Sequence, residues 1–410
     1  MAITDTVLII SNSFTGGGAE VVADETYKVI KKKYINVKRC SADEFSDCTL
    51  IDAKENMFCA IFSIRNMITL LLYLLKIRPS IIHLHNFLPN LSPSILMSIA
   101  FYKFFFSVHV LQTIHDFHPV CPNSSLFNDF KGATCTKCVG RKKNTIIFDS
   151  CYKGSRLASS FKYIRYSVMR FFLFHRYVID LFLCPSQFML DKLSMDGISQ
   201  KKLLLLKNPM SLPMGLYNLN IDTQLNNAVD RNDILFLGRL SKEKGIDLII
   251  SALKSLPGRN LHICGGGDLL ESYKEQTILN GVHERVFFHG YVNKTELSVI
   301  AKQCSLLVLP SVVFENSPMV IYEGLALNLV PVVSNIGGMK EVIENLGFGF
   351  TFAAGDLCDL VLHLELAFNY VHKVNVKIEI ESNKFYINYL ETDYSSCLES
   401  VYEKNYSVNS

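Results

Sequence analysis

No run of apolar residues in this sequence is long enough to cross a membrane. The longest uncharged apolar stretch that could span runs from Met67 to Leu75 and is closed by Lys76. That is about half of the ~20 residues a spanning helix needs. No basic segment leading into an apolar stretch stands at the N-terminus, where Val7-Leu8-Ile9-Ile10 is only strand-length. Charge is scarce and balanced: 19% of residues are charged and the net is +3, too mild to imply nucleic acid from the total alone. There is no internal repeat with a usable period and no low-complexity tract. These absences leave a soluble, cytoplasmic chain as the expectation. What the sequence does have is apolar side chain, 49% of 410 residues, which excludes intrinsic disorder and suffices for two cores. The length fits two domains of roughly 200 residues.

Twelve cysteines without a secretory signal argue for reduced thiols. Eight are scattered and read as small buried hydrophobes. Cys121, Cys135, Cys138 and Cys151 cluster, and Cys135-Thr-Lys-Cys138 is a C-x2-C pair that can place two thiolates on one tetrahedral ion. A structural four-thiolate zinc site is one reading of this loop. A reduced loop, or one closed by an opportunistic disulfide, is the other.

Strand and helix patterns alternate twice along the chain. Residues 7–10 read as a strand, Gly16-Gly17-Gly18 as a turn, and 19–33 as a helix. Strands follow at 81–85, 108–114 and 181–186, then a helix from Gln187. Residues 207–233, rich in Asn, Pro, Met and Asp, read as a linker. The alternation then resumes, with strands at 233–237, 261–264, 286–288, 306–310 and 330–334 and helices between them. Such alternation predicts parallel α/β sheets, two Rossmann-like domains with a ligand cleft at the carboxyl ends of their strands. The expected domains are residues 1–207 and 208–384, with a helix at about 385–410 returning to the first; Tyr389, Leu390, Tyr394, Leu398 and Val401 have near-helical spacing.

Two segments carry the chemistry. In Phe236-Leu-Gly238-Arg239-Leu-Ser-Lys-Glu-Lys244-Gly245, a strand ends at Gly238 and two cations follow beside a helix start. That is an anion site suited to a diphosphate, although a solvated basic helix start would look the same. In Phe314-Glu315-Asn316-Ser317-Pro318-Met319-Val320-Ile321-Tyr322-Glu323-Gly324, one carboxylate lies in a loop and the next in a helix that begins near Pro318. Carboxylates accept several hydrogen bonds and suit hydroxyl-rich ligands. Each signal alone is weak.

Their order is specific. Gly238-Arg239 with Lys244, Gly265-Gly266-Gly267-Asp268, Phe288-His289-Gly290, the glutamate pair, and Gly337-Gly338 with Glu341 follow one another. This series resembles the retaining glycosyltransferases of the large "group one" family (family four), which have the GT-B fold. The first half agrees, with Gly16-Gly17-Gly18-Ala19-Glu20 after the first strand and Thr113-Ile114-His115-Asp116 after the third. The segment from His115 through the four cysteines to Arg156 resembles a variant from bacterial surface-polysaccharide assembly.

The resemblance implies a donor site and an acceptor site. Gly238, Arg239 and Lys244 match the segment that holds the donor's diphosphate, and Gly16 and Gly17 the loop that approaches it. Glu323 matches the acid on the ribose. Glu315 matches the acid near the transferred sugar, and the backbone of Asn316, Ser317, Pro318 and Met319 would hold that sugar's hydroxyls and the β-phosphate. His115 matches a histidine facing the donor sugar; Asp116 caps a turn or joins it. With Glu315, His115, Arg239 and Lys244 as the catalytic set, the implied activity is retaining hexosyltransfer. A hexose or N-acetylhexosamine would pass from a UDP- or GDP-sugar to a lipid-linked glycan of O-antigen or capsule type. The N-terminal domain would bind the acceptor. No Asp-x-Asp triplet occurs, which agrees with cations and helix dipoles neutralising the leaving nucleotide, so no cofactor is expected for catalysis.

Glu323 is followed by Gly324 where the family often has alanine, and a mid-helix glycine costs roughly 1 kcal/mol. Residues 131–178 hold eleven cations and one acid, Asp149, interleaved with aromatics. A surface lying on anionic lipid at the inner face of the plasma membrane is favoured over RNA, with the aromatic run 101–106 joining it. The rivals are a non-catalytic glycan- or nucleotide-binding subunit on the same fold and an NAD-dependent oxidoreductase. Gly265-Gly266-Gly267 lacks the third glycine of the dinucleotide fingerprint.

Overall fold

The computed structural model describes residues 3–43, 46–50, 52, 57–172, 174–209, 231–373 and 394–403. The chain divides into two compact units, Met1–Pro209 with Thr392–Ser410, and Met210–Glu391. Most of the linker read at 207–233 lies outside the described residues, as do Tyr389 and Leu390 of the C-terminal helix.

The first unit is built on a seven-stranded parallel sheet. Its strands are β1 (Ile3–Ile10), β2 (Tyr34–Ser41), β3 (Cys48–Thr49), β4 (Ile81–Leu84), β5 (His109–Thr113), β8 (Leu181–Cys184) and β9 (Leu203–Leu205). Strands β6 (Phe127–Asn128) and β7 (Ala133–Thr134) form a separate antiparallel pair. The sheet order β3-β2-β1-β4-β5-β8-β9 reverses direction between β1 and β4, the position at which open α/β sheets bind ligands. Strand β4, Ile81-Ile82-His83-Leu84, is buried on every residue, because a parallel sheet is covered on both faces. Strand β2 has no such signature in sequence. Its charges, Lys38 and Arg39, alternate with the buried Tyr34, Val37 and Cys40.

The apolar run around Met67–Leu75 is part of an amphipathic helix. Helix α1 is Gly18–Lys31, α2 is Ile64–Ile77 and α3 is Ile95–Phe105. Ser63 caps α2 by accepting from the Asn66 amide, and Arg78 ends it in the left-handed region. Leu70 and Leu74 face the core, whereas Ile64, Ile68, Leu72 and Leu75 are exposed. Residues 394–403 are helical and pack into this unit's core: Tyr394, Leu398, Val401 and Tyr402 are buried with Val7, Ile9, Ala23, Ile30 and Ile81. Tyr394 Oη lies 2.6 Å from Thr26 Oγ1, and Lys33 bridges Glu399 and Glu403.

The second unit has a six-stranded parallel sheet in the order β12-β11-β10-β13-β14-β15. The strands are β10 (Asp233–Leu237), β11 (Leu261–Cys264), β12 (Val286–Gly290), β13 (Cys304–Leu309), β14 (Val330–Ser334) and β15 (Phe350–Phe352). Its reversal falls between β10 and β13, which pair directly, Leu235 against Leu307. The loops leaving those two strands carry the two segments singled out above.

Candidate active site

In the second unit the chain leaves β10 through Gly238 and Arg239 into a single helical turn, Lys242–Lys244. It leaves β13 into residues 311–318, which lead to the helix Met319–Ala326. The two exits meet. Lys244 Nζ is 2.5 Å from Glu315 Oε1, Ser311 Oγ donates to the same oxygen at 3.1 Å, and the Val312 amide donates to the Glu243 carbonyl. Thus Lys244 and the first glutamate of the pair are one ion pair, half-buried on both sides. A phosphate entering beside it would share the ammonium with Glu315. Arg239 is largely exposed and pairs with Glu243 at 2.8 Å. Burial pushes the Glu243 carboxyl up, but Ser241, backbone amide and Arg239 outweigh it and hold it below its ordinary range.

The loop 314–316 is clamped from behind. Gly338 donates its amide to the Glu315 carbonyl at 2.7 Å, and a Cβ on Gly338 would stand 1.8 Å from the Asn316 carbonyl oxygen. Only glycine lets the start of the Gly337–Leu346 helix approach this closely. Asn316, Ser317, Pro318 and Met319 are half-buried and lead into the first turn of the next helix, where amides lack intrahelical partners. Glu323 lies one turn further on. Burial raises its carboxyl above the ordinary value, with Lys294 opposing. The neighbouring Gly324 has a packing cause: a Cβ there would meet Leu307 Cδ2 at 2.5 Å, so the helix lies on β13 at a distance alanine does not allow. That offsets the propensity cost of the glycine.

In the first unit, Gly16 and Gly17 lie exposed between β1 and α1. Gly17 is the N-cap of α1, and Gly16 has φ 129°, a conformation that favours glycine. His115 follows β5. Its Nε2 is 3.0 Å from His85 Nδ1, and the rings stack. Burial lowers His115 to about 4, with Asp116 opposing, so the imidazole is neutral near pH 7. His85 is fully buried, and its Nε2 has no hydrogen-bond partner among the described residues. His83 is satisfied by Tyr402 Oη at 2.7 Å and Thr113 Oγ1 at 2.8 Å. Asp116 accepts from the His118 amide and lies 2.5 Å from His118 Nδ1. Burial raises its carboxyl, but His118 wins and the net direction is down. Sequence reasoning missed His118 and Ser311. Asp-Phe-His spacing was the available signal for the first, and nothing local marked the second.

The four clustered cysteines are reduced. Among the described residues, no three His, Cys, Asp or Glu side chains are grouped as metal ligands would be. Instead Asn128 Nδ2 contacts Cys151 Sγ at 3.3 Å, and Thr145 Oγ1 lies 3.1 Å from Cys138 Sγ. Burial pushes Cys121 and Cys151 up to about 12, with neighbouring thiols adding to it.

The basic stretch is not a free charged face. Asp196, which is buried, draws in Lys143, Arg170 and Arg176, and Lys137 pairs with Asp149. Arg165 is turned inward. Two cations of that stretch, Arg170 and Arg176, are thus held by one buried carboxylate.

Residues 219–370 match the family Glycosyl transferases group 1. The uncharacterized glycosyltransferase MJ1607 of Methanocaldococcus jannaschii is 35% identical over 119 residues, 28% of this chain and 30% of that protein. The match thus spans less than a third of that relative's length. Two solved structures resemble nearly the whole chain. The lipopolysaccharide outer core galactosyltransferase WaaB has TM-score 0.64 at 16% identity, covering 97% of this chain and 99% of that one. Anabaena HepE in complex with UDP-glucose has TM-score 0.61 at 15% identity, covering 97% and 100%. These two likenesses are of fold. They show the GT-B fold for the whole chain, and the group 1 glycosyltransferase match is to residues 219–370.

Proposed function

We propose that this chain is a retaining hexosyltransferase that moves a hexose or N-acetylhexosamine from a UDP- or GDP-sugar to a lipid-linked glycan acceptor. The observation that carries this is the Lys244–Glu315 pair at the sheet reversal of the group 1 domain. A cation able to meet a diphosphate is held on the carboxylate that would stabilise the sugar. HepE binds UDP-glucose, and WaaB is a lipopolysaccharide galactosyltransferase; both support a nucleotide-sugar donor and a surface-glycan acceptor here.

Retention without a protein nucleophile has the acceptor oxygen attack the anomeric carbon from the face the nucleotide leaves. The bond to the diphosphate breaks, and the acceptor proton passes to the leaving phosphate oxygen. Arg239 and Lys244 take up the charge that develops on that diphosphate. Glu315 faces the positive charge on the ring, and Glu323, its carboxyl raised by burial, holds ribose hydroxyls. Neutral His115 hydrogen-bonds a sugar hydroxyl without adding charge. A donor screen followed by NMR of the product's anomeric configuration tests this. Inversion from an α-linked donor defeats it.

The membrane belongs to the same reading. Among the described residues, no helix is long and apolar enough to cross a bilayer. Helix α2 exposes Ile64, Ile68, Leu72 and Leu75, and α3 exposes Met97, Phe101, Phe104 and Phe105. Residues 57–115 include no acid, while Arg65, Lys76 and Arg78 are exposed. An apolar face with cations and no carboxylate fits the surface of an anionic bilayer. This seats a peripheral, cytoplasmic enzyme on the inner leaflet through α2 and α3 instead of through the basic stretch.

A further inference from the structure

A cavity of about 130 Å³ lies wholly within the first unit, beside the loop that follows His115. Asp116, His118 and Ser124 line one side; Lys162, Arg165 and Tyr166, from the helix Arg156–Ser167, line the other. Leu88, Pro122 and Met169 complete an apolar wall.

Its charges do not balance. Asp116, the one carboxylate in the lining, is engaged by the backbone and ring of His118. Arg165 Nε and Nη2 are buried and have no hydrogen-bond partner among the described residues. Burial lowers the Arg165 guanidinium to about 10 and lowers Lys162 as well. Lys162 rests over the Tyr152 ring at 4.5 Å, and Asp116 opposes the lowering of both cations, one carboxylate against two charges. Buried guanidinium groups are ordinarily paired, because an unpaired buried charge is strongly unfavourable. Here the missing partner is an anion. A planar donor fork next to an ammonium matches the oxygens of a phosphoryl group.

We propose that this cavity binds the phosphoryl group of the acceptor, with Arg165 and Lys162 as its ligands. The assignment rests on the transferase reading for the word acceptor; the anion site itself does not. It makes the first unit specific for acceptors that carry a phosphate or diphosphate next to the sugar.

The test uses the full chain with Lys244→Ala, which blunts the second unit's own phosphate clamp. Calorimetric titration is run with inorganic pyrophosphate, farnesyl diphosphate and farnesol. Pyrophosphate and farnesyl diphosphate should bind, and adding Arg165→Met should weaken both at least tenfold. Farnesyl diphosphate binding more tightly than pyrophosphate, with farnesol weak, supports a lipid-linked source. Equal affinities support a soluble phosphorylated acceptor at the same site. Without ligand, Arg165→Met should melt no lower than its parent, because it removes an unpaired buried cation; a merely structural arginine would lower the melting temperature. Lys162→Met provides a second variant if Arg165→Met does not fold. Unchanged pyrophosphate affinity in the folded variants, or no binding to the parent at millimolar concentration, overturns the site. If sugar transfer by wild type stands while pyrophosphate ignores Arg165 and Lys162, the site fails alone. If no nucleotide sugar is used but pyrophosphate still depends on Arg165, the transferase reading fails and the anion site stands.

Discussion

The second unit runs from β10 to the helix Leu357–Lys373 through strands and helices joined by short turns, whereas the first inserts residues 114–180 between two neighbouring strands, β5 and β8. The difference separates two kinds of chemistry. At the end of β10 and β13, the groups that would meet a diphosphate stand within a few residues of their strands, and the ion pair Lys244–Glu315 follows from strand order alone. In the inserted segment, Lys143, Arg170 and Arg176 acquire their meaning from a carboxylate outside it, Asp196. The family match, at residues 219–370, falls on the unit with the local chemistry. A donor common to many enzymes needs one clamp, while each acceptor needs its own.

The largest expected effect strikes the second unit alone. Lys244→Ala should lower turnover by about 10²–10³-fold, since loss of one donor to a developing oxyanion costs about 3–4 kcal/mol. Glu315→Gln keeps the shape and removes the charge, so it should lower kcat while largely sparing donor affinity. A rise in KM with unchanged kcat would assign Glu315 to ground-state binding. Steady-state kinetics with the confirmed donor checks both.

The next effect strikes the first unit alone. Asp196→Asn strands Lys143, Arg170 and Arg176 around a neutral amide. Breaking such a buried cluster costs about 3–5 kcal/mol. Urea unfolding should show the first transition shifted, with donor-nucleotide affinity of the second unit unchanged. If nucleotide affinity falls in step, the two units do not unfold independently.

Acidification offers a milder contrast. Burial lowers His83 to about 3 and His115 to about 4, and holds His85 and His175 well below the ordinary value. With folded values depressed below 6.5, the unfolded chain binds more protons as pH falls. Their contribution is therefore full above about 6.5 and is lost progressively as pH falls toward about 4 for His115 and about 3 for His83. One such imidazole contributes on the order of 2 kcal/mol between pH 7 and 5. The second unit has His289 lowered by burial but also the Asp233–His262 pair, with the Asp233 carboxyl net lowered against burial by His262 and Asn260. The first unit should therefore unfold earlier than the second on going from pH 7 to 5. Equal shifts by urea titration would mean that the first unit's histidines do not titrate as buried groups.

Much of the fold was legible because parallel strands are apolar runs: β1, β4, β5, β8 and most of the second sheet stand where the alternation put them. β2 was not, because its partly exposed face carries Lys38 and Arg39. Helices α2 and α3 registered only as apolar or aromatic runs, since their outward residues are as hydrophobic as their buried ones. At the site, residue types and order pointed to Lys244 and Glu315, but not to their direct pairing. Gly324 read as a propensity cost until Leu307 was seen against it. In the basic stretch composition does not say which way a side chain turns: Asp196, outside the stretch at the end of the helix Gln187–Met195, draws in Arg170 and Arg176.

The smallest expected effect concerns the apolar face of the first unit. Phe104 is 83% and Leu72 63% exposed, so replacing them removes little from the folded core. Leu72→Ser with Phe104→Ser should leave unfolding within about 0.5 kcal/mol of wild type. Retention on anionic liposomes should fall roughly tenfold, about 1.4 kcal/mol of partitioning. Arg65→Gln with Lys76→Gln should weaken binding mainly at low salt, because exposed charges are screened within about 10 Å at 0.1 M. Arg170→Gln, whose guanidinium is held by Asp196, should not alter binding except through stability. This last variant separates the two candidate membrane faces. A lipid effect from Arg170 without a stability effect would return the membrane to the inserted segment and leave the exposed faces of α2 and α3 without an occupant.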